Sequence, residues 1–399
     1  MTEGPISIAQ LKDLARDGEG AVPAEVHAQM DKATTRATKA GKPYFDWLVR
    51  DAEDSLKLKV WDNHPAYQEV ASMKPGAFIA ITGSWTVGNY GIESNDWNFR
   101  AMNDAETAAL MSAGGTFAQQ QVKDYAYIEE QVAGLEDPRL RAICALFLER
   151  FGERFRRTAA ARDYHHARRG GLVEHVAQMM RAGNALAGAY PQVNRGLIIA
   201  GILFHDCGKL WENCMPESGF QMPFSEMGEL LGHIPTGMEL VNRLWRDASE
   251  VAGDEWTSGE PAHGHVRLHL LHLIASHHGE LAFGSPTVPK TPEAQLLHYI
   301  DNIDAKMEMF RRGYAEANML APRVFSRVRP LPGNLVEPLS EYDGPSGGVV
   351  AQPKAEPEPV SEVAEPEVIA PAEPAPAVVA EQPNLPPPPI VDEDDDVGF

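Results

Sequence analysis

Histidine is unevenly placed in this 399-residue chain: 12 of the 14 lie between His165 and His298. Concentrating one titratable side chain in about a third of a sequence points to a site rather than to scattered surface use. In chain order the candidates are His175, the pair His205-Asp206, His233, the pair His277-His278 and Asp301. All are imidazoles or carboxylates and none is a thiol, a donor set that suits Mn, Fe, Co or Mg better than a structural zinc. Seven ligands are too many for one ion and about right for two that share a carboxylate. Adjacent helical side chains point about 100° apart, so His205 can address one ion while Asp206 also bridges to its neighbour. Two such ions, about 3.5–4 Å apart, lower the pKa of a shared water and hold a phosphodiester for in-line attack. Lys209, one helical turn past His205, is a catalytic candidate that neutralises a phosphate oxygen as charge develops. The plainer reading of Lys209 is a cation that complements its helix dipole.

Other polar residues have plainer explanations. His263, His265, His269 and His272 fit a solvated helix face better than a second metal cluster. Cys207 reads as a small core residue. Asp304, one turn after Asp301, is either a partner of a ligand or a surface charge. His165 and His166, with Arg168 and Arg169, precede a Gly-Gly turn and are candidates for contact with substrate phosphate, or else form a helix-entry loop.

Two kinds of element must position these groups. From about residue 105 to 320 apolar residues recur at spacings of three and four, as helices require. Leu197 to Phe204 is apolar all round, hence core, yet runs into His205-Asp206, and a carboxylate buried there must be paired or metal-bound. Leu172, Val176 and Met179 share a face with His175, and Leu270, Leu273 and Ile274 form a stripe ending in His277-His278. Between Glu25 and Asn103 the pattern is instead of strands: 26–38, 44–50, 55–61, 77–87 and 92–101, with a helical piece at 65–73. Three strands, a helix and two strands is the order of a small Greek-key barrel of the oligonucleotide-binding kind. Four of the seven tryptophans (Trp47, Trp61, Trp85, Trp97) fall here. Rings beside lysine and arginine are what a single strand needs, stacking for bases and charge for phosphates. The candidates for nucleic-acid contact are Arg50, Lys57, Lys59, Trp61, Trp85 and Tyr90, with Arg168 and Arg169 from the helical part. Trp61 shares the Lys57 and Lys59 face and is the first choice for a stacking residue.

The motifs HHARRGGLVEH (165–175), HDCGK (205–209), GHI (232–234), SHHGE (276–280) and LHYIDNIDAKM (297–307) resemble those of the HD superfamily of metal-dependent phosphohydrolases. Its signature of a His, a His-Asp pair and a distal Asp falls on His175, His205-Asp206 and Asp301. Preceded by a barrel pattern, the set looks like the YhaM-type 3′-to-5′ exoribonucleases, a resemblance covering roughly residues 25–312. It implies a hydrolase of single-stranded RNA, sometimes DNA, that uses divalent metal, typically manganese, and forms a homo-oligomer. One rival reading is a phosphodiesterase of cyclic nucleotides or dinucleotides. Where such enzymes carry a Gly-Tyr-Pro element after the paired histidines, this chain reads HHGELAFGSPTVP. A second rival, a non-catalytic single-strand adaptor, fits poorly with a complete ligand set.

The expected organisation is therefore a multidomain chain: an extension (1–24), an all-β barrel (25–104), an all-α HD domain (105–325), and a linker with an acidic, Pro-rich disordered tail (326–399). Residues 345–399 hold 12 acids, one Lys and 13 prolines, which account for half of the net charge of −22. Such composition cannot offset its own ordering entropy. The tip, Asp392-Glu393-Asp394-Asp395-Asp396-Val397-Gly398-Phe399, resembles that of bacterial single-stranded DNA-binding proteins, where a terminal Phe anchors partner enzymes. Phe399 is thus a candidate recruiting residue for a protein partner; the alternative is an acidic tail that lies on the protein's own basic groove and competes with nucleic acid, or that only keeps the chain soluble. No apolar run is long enough to span a bilayer, no secretory signal is visible, and three scattered cysteines suit a reducing cytoplasm.

Overall fold

Alternation in the first hundred residues builds one curved antiparallel sheet. The computed structural model describes residues 4–17, 20–88, 91–112, 116–162 and 165–339. A helix α1 (Ile8–Asp17) precedes β1 (Val22–Ala37), β2 (Pro43–Arg50), β3 (Ser55–Trp61), a short α2 (Tyr67–Ser72), β4 (Phe78–Gly88), β5 (Gly91–Glu93) and β6 (Asn98–Ala101). The order across the sheet is β3-β2-β1-β4-β5, with β6 also on β4. The first half of β1 pairs with β4 and the second half with β2, with a register shift between Met30 and Lys32. Such an irregularity bends and twists a strand, and β5 comes round against β3. The resulting half-barrel encloses Trp47, Val49, Leu58, Val60, Ile81 and Trp85.

Two details depart from the sequence expectation. The strand expected over 92–101 is split, because Asp96 turns the chain by accepting from the Ser84 N–H and the Ser94 hydroxyl. The expected extension holds α1, whose Ile8, Leu11 and Ala15 are buried on the sheet. The Ile8 N–H donates to Asp51 Oδ2 (2.6 Å), and Lys12 pairs with Asp54 (2.8 Å) in the turn before β3.

The helical part comprises α3 (Asp104–Ser112), α4 (Thr116–Ala133), α5 (Pro138–Phe155), α6 (Gly171–Ala189), α7 (Arg195–Phe204), α8 (Glu226–Leu231), α9 (His233–Val251), α10 (Asp254–Ser258), α11 (His263–Ser276) and α12 (Pro292–Glu316). α7 lies at its centre, with every residue from Leu197 to Phe204 buried, and α6, α9, α11 and α12 surround the turn that follows it. Asn194 caps α7 by accepting from the Leu197 N–H, and Asp137 caps α5 through the Arg139 and Leu140 N–H groups, with Pro138 at the first helical position. After α12 the chain forms a small sheet of β7 (Met319–Ala321), β8 (Val324–Phe325) and β9 (Leu335–Val336). Its Leu331 and Leu335 are buried, so the stretch expected to begin a linker at 326 folds at least to β9. Among the described residues no helix is long and apolar enough to cross a membrane. The acidic tail and Phe399 lie outside the described residues.

Candidate metal centre and nucleic-acid face

The apolar α7 ends at Phe204, and the chain tightens there into a 3-10 turn, Cys207–Trp211. His205 and Asp206 occupy that junction and are almost wholly buried. Gly208 lets a second element close in, since a Cβ there would lie 2.0 Å from the His233 carbonyl oxygen. That contact brings the first residue of α9 onto the site. α6 contributes His175 from its buried face, α11 ends in His277-His278, and α12 supplies Asp301 and Asp304 from successive turns.

The donor atoms fall into two sets joined by one carboxylate. His175 Nε2 lies 3.2 Å from His205 Nε2 and 3.3 Å from Asp301 Oδ1, and Asp206 Oδ2 lies 3.2 Å from His205 Nε2. The other oxygen, Asp206 Oδ1, lies 3.4 Å from His233 Nε2 and 3.6 Å from His277 Nε2. A ring nitrogen of His278 joins that second group, with the three imidazoles offering atoms within 4.8 Å of one another. Ligand atoms about 2.1 Å from a common ion stand about 3.0–3.5 Å apart, so the spacings suit coordination better than hydrogen bonding. Asp206 Oδ1, His233 Nε2 and His277 Nε2 are moreover buried without any hydrogen-bond partner. A cation among these three convergent buried atoms would satisfy them together.

Four of the five imidazoles are hydrogen-bonded through the other nitrogen, and that of His233 faces a carboxylate. Nδ1 of His205, His277 and His278 faces the carbonyl oxygens of Ile202 (2.8 Å), Ile274 (2.7 Å) and Phe283 (2.7 Å). Nδ1 of His175 meets Asp304 Oδ2 at 2.6 Å, and that of His233 lies 3.2 Å from Glu212. Acceptors at Nδ1 fix the proton there and turn the Nε2 lone pair into the site. At 2.6 Å the Asp304 contact is too short for two ligands of one ion, so Asp304 orients His175 rather than coordinating beside it.

The surrounding charges are strongly perturbed. Burial lowers His277, His233 and His278, which favours the neutral, ligating form. His175 is pushed up to about 10, since Asp301 and Asp304 outweigh its burial. Asp206 is held well below the usual carboxylate range, with Lys209 and His205 outweighing desolvation. A cation and a proton compete for the same His175 lone pair, so metal binding there releases a proton. Lys209 Nζ donates to Asp206 Oδ2 at 2.6 Å.

The model of the HD domain family matches residues 172–306. The chain is 31% identical over 282 residues to the 3′-5′ exoribonuclease YhaM of Oceanobacillus iheyensis, covering 70% of this chain and 84% of that one. The chain belongs to the YhaM family of HD-domain proteins. Relatives include the 3′-5′ exoribonucleases YhaM of Geobacillus sp. (30% identical, 74% and 87% covered) and Bacillus subtilis (29%, 72% and 88%). No solved structure gives a significant match.

The residues expected to contact nucleic acid divide. Lys57, Lys59 and Trp61 point outward from β3, between the buried Leu56, Leu58 and Val60. Trp61 is 41% exposed and packs on Tyr44 with ring centroids 4.9 Å apart. Arg50 pairs with Asp31 at 2.7 Å and lines a cleft against the helical part. Trp85, expected to stack a base, is instead fully buried, and its indole N–H donates to the Ala24 carbonyl. Arg168, expected at a phosphate, is buried between Glu174 and Glu308 and lies over the Phe117 ring. Arg169 braces a loop through the carbonyls of Pro216 and Gly219. Both arginines are thus committed to the protein. Tyr90 lies outside the described residues.

Sequence reasoning left Asp304 undecided and missed two supporting groups. His166 is buried, with Nε2 3.0 Å from Asp304 and Nδ1 3.3 Å from Glu174. Glu212 Oε2 lies 3.2 Å from His233 Nδ1. The three-residue step from Asp301 to Asp304 could have flagged Asp304, because it keeps both on one helix face. Nothing local distinguishes Glu212. His263, His265 and His269 are exposed on α11, as a solvated face requires, and the Cys207 thiol is buried and pushed up by desolvation.

Proposed function

We propose that this chain is a 3′-to-5′ exonuclease of single-stranded RNA that uses two divalent ions held by nitrogen and oxygen donors, manganese being the ion that the family resemblance implies. The observation that carries the reading is the convergence of Asp206 Oδ1, His233 Nε2 and His277 Nε2, buried without partners, in a family whose curated members are named for that activity. His175, His205 and Asp301 would hold one ion and His233, His277 and His278 the other, with the Asp206 carboxylate between the two sets. When bound, such a pair lowers the pKa of a water between the ions and neutralises the phosphodiester. The protein's own contribution is orientation: anchored Nδ1 atoms hold the imidazoles in place, and burial of α7 fixes Asp206. Lys209 keeps a positive charge beside the bridging carboxylate, where it stabilises charge developing on the phosphate.

The half-barrel serves as an oligonucleotide-binding module of the OB type, with Trp61 as a stacking platform and Lys57 and Lys59 beside it. Single-stranded DNA offers the same backbone and ring faces, so only a contact to the 2′-OH would exclude it. The deciding experiment incubates the protein with 3′-labelled RNA, matching DNA and a cyclic dinucleotide, with Mn²⁺ or with chelator. Release of the 3′ label from RNA as a mononucleotide only in Mn²⁺ is expected. Turnover of the cyclic dinucleotide with RNA left intact would replace the reading with a cyclic-dinucleotide phosphodiesterase.

A further inference from the structure

Between the outer face of the sheet and the helical part runs a cleft of about 370 Å³. Lys12, Lys32, Arg50, Lys57, Arg162 and Arg312 line it; of these Lys12 pairs with Asp54, Arg50 with Asp31, and Arg162 donates to backbone carbonyls. The strand register explains part of the clustering. Lys32 on β1 pairs with Leu48 on β2, which pairs with Lys57 on β3, so the two lysines flank Leu48 in one row across three strands. The next rows along the same face are Thr34, Asp46 and Lys59, then Arg36, Tyr44 and Trp61. One face thus runs from an aromatic pair at its outer end, past Lys59, to the cations of the cleft. Lys32 and Lys57 are exposed and have no acidic partner among the described residues. The charges of these two lysines, on one row of the sheet, repel each other, and an anion seated between them would offset that cost.

The far wall of the cleft leads to the metal ligands. Arg312 and Asp301 both belong to α12, eleven residues apart, which is about 16 Å along the axis and only about 20° around it. The carboxylates between them on that face, Asp304 and Glu308, are taken up by His166 and Arg168. A phosphate backbone following this face therefore meets no unpaired negative charge from them.

We infer that this cleft is a phosphate-binding track for a single-stranded nucleic acid, and that α12 sets a fixed distance from the track to the scissile bond. The inference rests on the exonuclease reading for its direction, with the 3′ end at the metals and the 5′ portion passing Arg312, Lys32 and Lys57 towards Trp61. A stacked strand advances about 3.4 Å per nucleotide, so ~16 Å corresponds to roughly five stacked nucleotides. Substrates shorter than that reach the metals without reaching the cleft.

The test is the double variant Lys32→Glu/Lys57→Glu, with Lys74→Glu/Lys123→Glu as a control of equal charge change outside the cleft and melting curves to show that each folds. Binding of labelled RNA and DNA of roughly 20 nucleotides, longer than one barrel covers, is measured in chelator across a salt series. Each phosphate contact on a single strand contributes about 0.7 to the slope of log K against log salt, so the cleft variant loses roughly 1.4 and the control does not. In Mn²⁺ the ratio of kcat/KM for the long strand to that for a dinucleotide falls roughly tenfold in the cleft variant. Equal slopes in wild type and cleft variant, or equal losses in both double variants, would overturn the inference. If the slopes separate as expected but no strand is hydrolysed, the cleft stands and the exonuclease reading falls. The DNA arm shows whether the track recognises the shared phosphate backbone or needs ribose.

Discussion

Asp304→Asn is the most informative change near the metals, because it alters charge without altering shape. Asp304 Oδ2 accepts from His175 Nδ1 at 2.6 Å and His166 Nε2 at 3.0 Å, in a site where the carboxylate is only 8% exposed. The amide oxygen can still accept, but as a neutral group. Hydrogen bonds to charged partners contribute about 1.5–3 kcal/mol and neutral ones about 0.5–1.5, so the change weakens the hold on His175 by about 1–2 kcal/mol. At 1.4 kcal/mol per tenfold, that is roughly 5- to 30-fold in affinity for the ion on His175, near the 10–100-fold expected for such supporting partners. The assay is a Mn²⁺ titration of RNA hydrolysis beside direct metal competition with a chromogenic chelator. The half-saturating concentration should rise by that factor while the rate at saturating Mn²⁺ returns close to wild type. An unchanged titration would mean that packing alone orients His175. A rate that excess metal fails to restore would make Asp304 part of the chemistry itself.

Asp206→Ala removes the oxygens that both sets of donors share, so tight metal binding and hydrolysis should vanish together while the melting transition persists; turnover at the wild-type rate would remove the case for two ions. Trp61→Ala should weaken binding of long strands by about 1–3 kcal/mol, roughly 5- to 150-fold, if a base stacks there, and unchanged affinity would demote the residue to a partner of Tyr44. Glu308 should reveal itself in acid. Burial opposes its ionisation, but Arg311 and Arg168 hold its pKa down to about 2 from 4.5, so its stabilisation is complete above about pH 4.5 and lost as pH falls through about 2. The Glu308→Gln variant should therefore show a flatter stability profile over that window, and a profile parallel to wild type would contradict the assignment. Deleting Phe399 removes an apolar anchor while sparing every acidic side chain; if a pull-down recovers the same partners with and without it, the recruiting role fails.

The cluster of buried histidines and aspartates was legible in the sequence because its residue types conflict with their surroundings. A His-Asp pair ending an apolar helix, and paired histidines ending an apolar stripe, have few inexpensive explanations in a buried setting. The barrel strands were legible through alternation, and alternation correctly put Lys57, Lys59 and Trp61 on the outer face. It said little about Trp85, because an aromatic ring suits a core as well as a stacking platform, and only the sheet's closure decides between them. Arg168 misled for a related reason: the carboxylates that claim it, Glu174 and Glu308, lie on different helices. α1 passed unnoticed because its three buried apolar residues gain their meaning from a sheet that forms later in the chain. The same holds for the cleft, whose cations come from α1, β1, β2, β3, the loop after α5 and α12.

The burial of α7 has a consequence for how the molecule can be controlled. Its side chains are packed on every side, and close-packed interiors do not deform gradually. Asp206, hung from the end of that helix, therefore cannot be shifted by a modest push at the surface without disturbing the whole helical core. Inhibitors and effectors that act by reshaping the catalytic floor face a steep elastic penalty. Those that obstruct the approach, by filling the junction between sheet and helices, leave that packing intact. Throughput is thus most readily set by access to the centre, leaving its chemistry constant while the supply of strand varies.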